Sequence, residues 1–179
     1  MVWDKVFGKK KKEEIDPLKD LILSKLKVGY LLDYDLKTWE VTGYNKYEWG
    51  EGDYSEEWEL LSGDELLYLE REEDDEVEWT LTGKVPLSTI GEGIKDVILE
   101  HENPPKEITY DGKKYYLGEC SGGRFYKDGK ESYDEFLSWD YEDESGENVL
   151  TIEQWSETRF EASYGKVVEE YQFTNILPK

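Results

Sequence analysis

Thr38-Trp39-Glu40-Val41 and Glu57-Trp58-Glu59-Leu60 are the stretches of sequence that decide the fold. In both, apolar residues alternate with polar or charged ones, so that the two kinds of side chain fall on opposite faces of an extended strand. This period of two prevails from Tyr30 onward. The pattern predicts antiparallel strands that each have one polar face.

Clusters of turn residues separate these runs at the spacing expected of β-hairpin connections. The clusters are Gly50-Glu51-Gly52-Asp53, Ser62-Gly63-Asp64, Asp111-Gly112, Lys127-Asp128-Gly129 and Ser145-Gly146-Glu147. Helix signals are few. One helix is expected to begin at Pro17, with Asp16 as its cap, and to stop at Gly29. Its apolar face would consist of Leu18, Leu21, Ile22 and Leu26. We therefore expect a mainly β protein with a minor α+β component.

One unit recurs along the chain. At a shift of 76 residues, Lys19–Leu23 aligns with Lys95–Leu99, and Tyr34–Lys37 aligns with Tyr110–Lys113. Further on the shift changes, and the matches are Trp58 with Phe136, Leu69-Glu70 with Ile152-Glu153, Trp79 with Phe160, and Gly83–Val85 with Gly165–Val167. This predicts two tandem copies of a short helix plus an antiparallel β-meander or small barrel, packed into one two-lobed body.

The predicted organisation has three parts. Residues 1–14 form a basic amphipathic N-terminal tail, residues 15–88 the first repeat and residues 89–179 the second repeat. Pro104-Pro105 ends any helix formed by residues 94–102. Because so small a unit buries little of its surface alone, we expect the two copies to pack together through their apolar faces.

The composition excludes several classes of function. The chain carries 44 acidic and 22 basic side chains, a net charge of −22, which repels the phosphates of nucleic acids. Its 7 Trp, 14 Tyr and 5 Phe argue for a packed core and against disorder. A single cysteine, Cys120, fits a reducing compartment, and we expect a cytoplasmic protein.

No catalytic apparatus is evident. His101 is the only histidine, and no basic residue adjoins Cys120 to activate it. Carboxylates are too numerous to single out a pair. Glu70 and Glu153 recur at one place in the repeat, and we expect each to anchor a turn or a backbone amide. The sequence predicts a protein that is not an enzyme, with no catalytic residue, cofactor or metal.

The N-terminus carries the clearest interaction signal. Val2, Trp3, Val6 and Phe7 lie at helical spacing, and a basic run, Lys9, Lys10, Lys11 and Lys12, follows them. Such a segment is typical of peripheral contact with an anionic membrane surface. A tail that packs on the body or stays mobile is the alternative. The predicted location is the cytoplasm, with the inner membrane face as a peripheral site.

Six short motifs can be compared with those of known families: Lys27–Gly29, Trp39–Gly43, Glu57–Leu60, Tyr68–Glu70, Gly112–Leu117 and Leu150–Glu153. Together they resemble the motifs of a bacterial family of uncharacterised proteins called domain of unknown function 4178. The resemblance spans residues 18 to 176 and carries over no catalytic residues. Relatives are encoded near proteins resembling phage-shock protein A and near polyamine-synthesis enzymes. The resemblance implies accessory work at the membrane or with cationic metabolites.

Three hypotheses of function follow. The first is a non-enzymatic interaction or accessory module whose partner is another protein, with Trp49, Tyr54 and Trp139 as contact residues. The second is a binder of a small cationic ligand such as a polyamine, held in an acidic cleft with aromatic walls. The third is a carboxylate-dependent hydrolase, which requires a cleft that holds two acids in unequal environments.

Overall fold

A computed structural model describes residues 14–179 of the chain. Three short helices are α1 (Pro17–Asp20), α2 (Leu87–Ile90) and α3 (Ile94–His101). The strands are β1 (Leu31–Tyr34), β2 (Lys37–Gly50), β3 (Asp53–Ser62), β4 (Glu65–Glu73), β5 (Val77–Val85), β6 (Glu107–Tyr110), β7 (Lys113–Tyr126), β8 (Asp134–Asp143), β9 (Asn148–Gln154), β10 (Phe160–Val168) and β11 (Thr174–Leu177). The protein is mainly β, as the alternation predicted.

All the strands belong to one antiparallel sheet that closes on itself. The strand order is β11-β1-β2-β3-β4-β5-β10-β9-β8-β7-β6, and β2 also pairs with β7. Strands β2, β3, β4, β5, β10, β9, β8 and β7 therefore form a ring of eight, a partial barrel, while β1, β11 and β6 lie outside it. One junction, between β5 and β10, has seven residue pairs. The other, between β2 and β7, has three.

The two halves of the ring have matching strands. β1 and β6 each have four residues, β2 and β7 fourteen, and β3 and β8 ten. A bulge interrupts β2 at Val41/Gly43 and β7 at Leu117/Glu119. The strand pairing shows that Trp58 corresponds to Trp139 and not to Phe136. Trp58 pairs with the buried Leu69 of β4, and Trp139 pairs with the buried Ile152 of β9. The duplication itself and its boundaries stay predictions.

The apolar faces point out of the ring, which corrects our expectation that the two halves meet through them. Two separate apolar clusters form, one on each half. The first cluster packs Trp58 and Leu69 under Leu23, Leu26 and Phe173. The second packs Trp139 and Ile152 under residues of α2, α3 and β6. The first cluster is covered by the N-terminal segment and by Phe173 near the C-terminus, and the second by α2, α3 and β6, while the polar faces of the two halves are turned toward each other.

The N-terminal helix is much shorter than predicted. Asp16 caps α1 by accepting a hydrogen bond from the Leu18 amide, but the helix ends at Asp20. A 3-10 turn over Leu23–Lys25 follows, entered through Ile22 in an extended conformation. This break allows both Leu23 and Leu26 to reach the first apolar cluster. No helix among residues 14–179 has the length and apolar character needed to cross a membrane.

Candidate functional site: an acidic cavity inside the ring

A cavity of about 560 Å³ lies inside the ring, and all eight ring strands contribute to its wall. Strand alternation explains its chemistry. On β4, Leu69 is fully buried in the outer cluster, while the neighbouring Tyr68 and Glu70 line the cavity. On β9, Ile152 points outward and Thr151 and Glu153 point inward. The residues that lie between the core positions of each strand therefore form a polar interior.

The wall is strongly acidic. Its carboxyl side chains are Asp53, Glu57, Glu70, Glu72, Glu78, Glu119, Asp140, Glu142 and Glu153. These nine acids face a single cationic side chain of the wall, Lys84. They are spread over six strands, from β3 to β9. Among residues 14–179, no three His, Cys, Asp or Glu side chains are arranged to hold a metal ion.

Glu57 is the most enclosed of these acids, with 7% of its surface exposed. Its carboxylate accepts hydrogen bonds of 2.9 Å from Asn45 Nδ2 and 2.9 Å from Tyr47 Oη. Burial raises the pKa of Glu57 to about 7, although these two hydrogen bonds and Lys84 oppose the increase. A carboxyl group in this state exchanges a proton near neutral pH.

Glu70 lies beside Glu57 on the neighbouring strand. Its Oε1 accepts a 2.7 Å hydrogen bond from the Ser55 hydroxyl, which in turn accepts one of 3.0 Å from Trp49 Nε1. Burial, with the charge of Glu57 second, raises the pKa of Glu70 well above its ordinary value. Within the described residues neither Glu57 nor Glu70 forms a salt bridge.

Two further acids of the wall, Asp140 on β8 and Glu72 on β4, also have raised pKa values. Asp140 accepts hydrogen bonds from Thr151 (2.8 Å) and Ser138 (3.2 Å), and burial raises its pKa to about 6. Desolvation, followed by the charge of Asp140, raises the pKa of Glu72 to about 7. Glu72 is exposed to solvent at the edge of the cavity, so water screens its charge more than that of the enclosed Glu57.

Lys84 neutralises only part of the wall. Its Nζ lies 3.1 Å from Glu153 Oε2 and 3.0 Å from Glu161 Oε2. Desolvation opposes the charged form, but the two carboxylates outweigh it and raise the pKa of Lys84. The same ammonium group lies 5.4 Å from the ring centre of Tyr68. Lys84 therefore shows how a cation is held in this cavity, by carboxylates and an aromatic face.

Aromatic side chains form one end of the cavity, at the β2–β7 junction. Tyr47 and Trp49 line the wall and stack with their ring centres 5.6 Å apart. Phe136 packs edge-on against both, and Trp155 stacks on Phe136 at 4.8 Å. We call these residues, with Phe125, the junction cluster. It supplements the three residue pairs that hold β2 to β7.

The predicted contact residues occupy three different environments. Trp49 lines the cavity and belongs to the junction cluster. Tyr54 is 49% exposed on the surface of β3. Trp139 is 1% exposed in the second apolar cluster, where its Nε1 hydrogen-bonds Asn103 Oδ1 at 3.4 Å. The prediction that Trp139 offers a surface contact is therefore corrected, since the outer face of its strand is covered by the helical connection.

The structure also reassigns Glu70 and Glu153. We expected each to anchor a turn or a backbone amide, but both face the cavity and bond to side chains, Ser55 and Lys84 respectively. The signal was present in the sequence, because each follows a buried strand residue and must point to the opposite face. Cys120 is exposed as a residue, but partial desolvation of its thiol, followed by the charges of Asp140 and Glu119, raises its pKa and so disfavours the thiolate.

The membrane-contact residues Val2, Trp3, Val6, Phe7, Lys9, Lys10, Lys11 and Lys12 lie outside the described residues. Contact with a membrane stays a prediction.

Comparison with known protein families extends the resemblance seen in the motifs. The model of the family "Domain of unknown function (DUF4178)" matches residues 27–170. The chain belongs to the DUF4178 family. A relative from Aquifex aeolicus (strain VF5), described as an uncharacterized protein, is 29% identical over 180 residues, which cover 98% of this chain and 96% of the relative. No solved structure matches the chain.

In this DUF4178 protein, the matched region contains every residue that lines the cavity, from Tyr47 to Ser163. It also contains all eight strands of the ring, from Lys37 to Val168. The cavity therefore lies within the part of the chain that the family model describes.

Proposed function

We propose that this protein is a non-enzymatic binder of a small linear polyamine, which lies in the acidic cavity. The observation that carries the proposal is the imbalance of charge on the wall, where nine carboxyl side chains face only Lys84. An enclosed carboxyl group either keeps its proton, as the raised pKa values of Glu57 and Glu70 indicate, or ionises beside a cation. A ligand with several ammonium groups would supply the missing charge.

The distribution of the acids favours a linear ligand over a compact one. Glu57 and Glu70 lie on β3 and β4, whereas Asp140 lies on β8 and accepts hydrogen bonds from a different set of partners. Ammonium groups separated by methylene chains could pair with both groups of acids. The rings of Tyr47, Trp49 and Tyr68 offer faces to the methylene groups and to the cations.

Spermidine is the probe that tests the proposal. We expect it to raise the melting temperature by several degrees at low ionic strength and by less at high salt, because charge pairing is screened. Calorimetric titration should show at least tenfold weaker binding by Glu70→Gln, which removes a cavity carboxyl group that would ionise beside an ammonium group of the ligand. Glu131→Gln removes an exposed charge outside the cavity wall and is the matched control.

Two results would contradict polyamine binding. One is the absence of any thermal shift at low salt. The other is equal spermidine affinity in Glu70→Gln and Glu131→Gln, which would assign the effect to the general acidity of the surface.

A carboxylate-dependent hydrolase is the second candidate, because the cavity holds acids in unequal environments. Burial raises the pKa of Glu57 to about 7 and that of Asp140 to about 6. A general acid and a base could be drawn from such a set. We rank this candidate lower, because hydrolysis requires two carboxyl groups and not a wall of nine around a single lysine.

A panel of nitrophenyl glycosides separates the two candidates. We expect the same background rate from the wild type and from Glu70→Gln and Asp140→Asn. Turnover by the wild type that both variants lose would replace the binding proposal with hydrolysis.

A further inference from the structure

The two ends of the sheet are covered differently. On the first half, β11 pairs with the outer edge of β1, at Leu31↔Leu177 and Asp33↔Thr174. On the second half, β6 occupies the corresponding place beside β7 and is the last strand of the sheet. Within residues 14–179, β7 is the only strand paired with β6. One half thus has a four-residue strand at a place where the other half has an open edge.

The outer edge of β6 turns backbone N–H and C=O groups away from β7, in the direction from which another strand could pair. Tyr34 and Lys37 flank a two-residue turn, as do Tyr110 and Lys113. Alternate residues of a hairpin strand turn their backbone N–H and C=O groups outward. In β1 these residues are Leu31 and Asp33, the two that pair with β11. By the same alternation, Glu107 and Thr109 turn theirs outward in β6, and both residues are exposed.

The aromatic packing at the two edges differs in the same way. In the first half, Phe173, just before β11, stacks on Tyr34 with ring centres 4.6 Å apart, and Tyr34 is buried. Tyr110 occupies the corresponding place 76 residues later. It is only half-buried, with the ring of Tyr164 on one side at 5.0 Å. Among the aromatic pairs of residues 14–179, no ring stacks on Tyr110 in the way that Phe173 stacks on Tyr34.

We propose that β6 is a docking site for an extended segment of a partner protein, which adds to its edge as β11 adds to β1 and places an aromatic side chain against Tyr110. Strand addition draws affinity from backbone hydrogen bonds and specificity from such side-chain contacts. The local charge permits it, because residues 106–114 contain three lysines against Glu107 and Asp111. This edge is therefore free of the acidity of the rest of the body.

A peptide with the sequence of residues 170–179 is the probe, because β11 shows which strand fits such an edge. A fluorescent form of it should bind the full-length protein saturably in an anisotropy titration. Thr109→Pro should weaken binding at least tenfold, because it removes an outward N–H without removing a β6–β7 hydrogen bond. Thr109→Val keeps the N–H and should bind like the wild type. Replacing the phenylalanine of the peptide by alanine should also weaken binding at least tenfold.

A second measurement protects the test against misfolding of the proline variant. A peptide N-methylated at the amides that would face β6 should lose binding to the wild-type protein. The proposal would be overturned if the peptide did not bind the wild-type protein. It would also be overturned if Thr109→Pro and Thr109→Val bound the peptide equally, because the peptide would then bind at another place, such as β1. A dimer of the wild-type protein that Thr109→Pro dissociates would assign the edge to a second copy of this chain and overturn it also.

Discussion

Gly165→Ala is expected to lower the free energy of unfolding by about 3 kcal/mol or more. Gly165 pairs with Thr82 across the β5–β10 junction. A Cβ atom at residue 165 would lie 2.6 Å from Thr82 Cα and would overlap the carbonyl oxygen of Leu81. These are backbone atoms, so no side-chain rotation can relieve the overlap. β5 and β10 must therefore move apart, and theirs is the longer of the two junctions between the halves of the ring.

Gly122→Ala is the matched control for this substitution. Gly122 also lies within a ring strand, but its added Cβ would meet its nearest neighbour, Leu137 Cδ2, at an ordinary distance of 3.5 Å. We expect a change within about 1 kcal/mol for this variant. Urea denaturation of both variants measures the difference. Equal stability of the two would show that β5 and β10 do not approach as closely as described.

Stability is expected to fall as the pH rises from about 4.5 to about 7. Burial raises the pKa of Glu57 to about 7 in the folded protein, from 4.5 in a solvated chain. Below pH 4.5 the carboxyl is protonated in both states and contributes no difference. Between the two values the unfolded chain releases the proton and the folded chain retains it, which favours unfolding. Glu57 alone costs on the order of 3 kcal/mol above pH 7.

Glu57→Gln is expected to remove much of this pH dependence. The amide has no charge to desolvate, so the variant should be more stable than the wild type at pH 8 and similar to it at pH 4.5. Asp140 acts in the same direction, because burial raises its pKa to about 6, and it should account for part of the slope that remains. Melting temperatures across this range, with Glu131→Gln as control, give the measurement. If Glu57→Gln kept the wild-type dependence of the melting temperature on pH, the assignment of that dependence to Glu57 would be contradicted.

The strands could be predicted from the sequence because their signals are local. Alternation in Thr38–Val41 and Glu57–Leu60, and turn residues such as Asp111-Gly112, specify hairpins without reference to the rest of the chain. The match of Trp58 with Phe136 failed because the β7–β8 connection is longer than the β2–β3 turn. Only the strand pairing shows that Trp58 corresponds to Trp139.

An acidic cleft was among the hypotheses, but its place inside the ring could not be predicted, because alternation reveals two faces of a strand but not which face is enclosed. From the sequence we expect the apolar faces to lie between the two halves, because packing the halves together would bury both faces at once. The structure instead covers those faces with Leu23, Leu26 and Phe173 on one half and with Ile94 and Ile98 on the other. Such coverage depends on contacts distant in sequence. The sequence therefore does not specify which of its many acids line a cleft.

The unequal junctions give the ring a preferred place to open. Seven residue pairs join β5 to β10, but only three join β2 to β7, so local fluctuations will separate β2 from β7 more readily. Trp49 belongs both to the junction cluster and to the wall of the cavity. Displacement of this indole from the cavity side also weakens the β2–β7 junction. Transient opening of the ring and exchange of molecules in the cavity are therefore energetically linked.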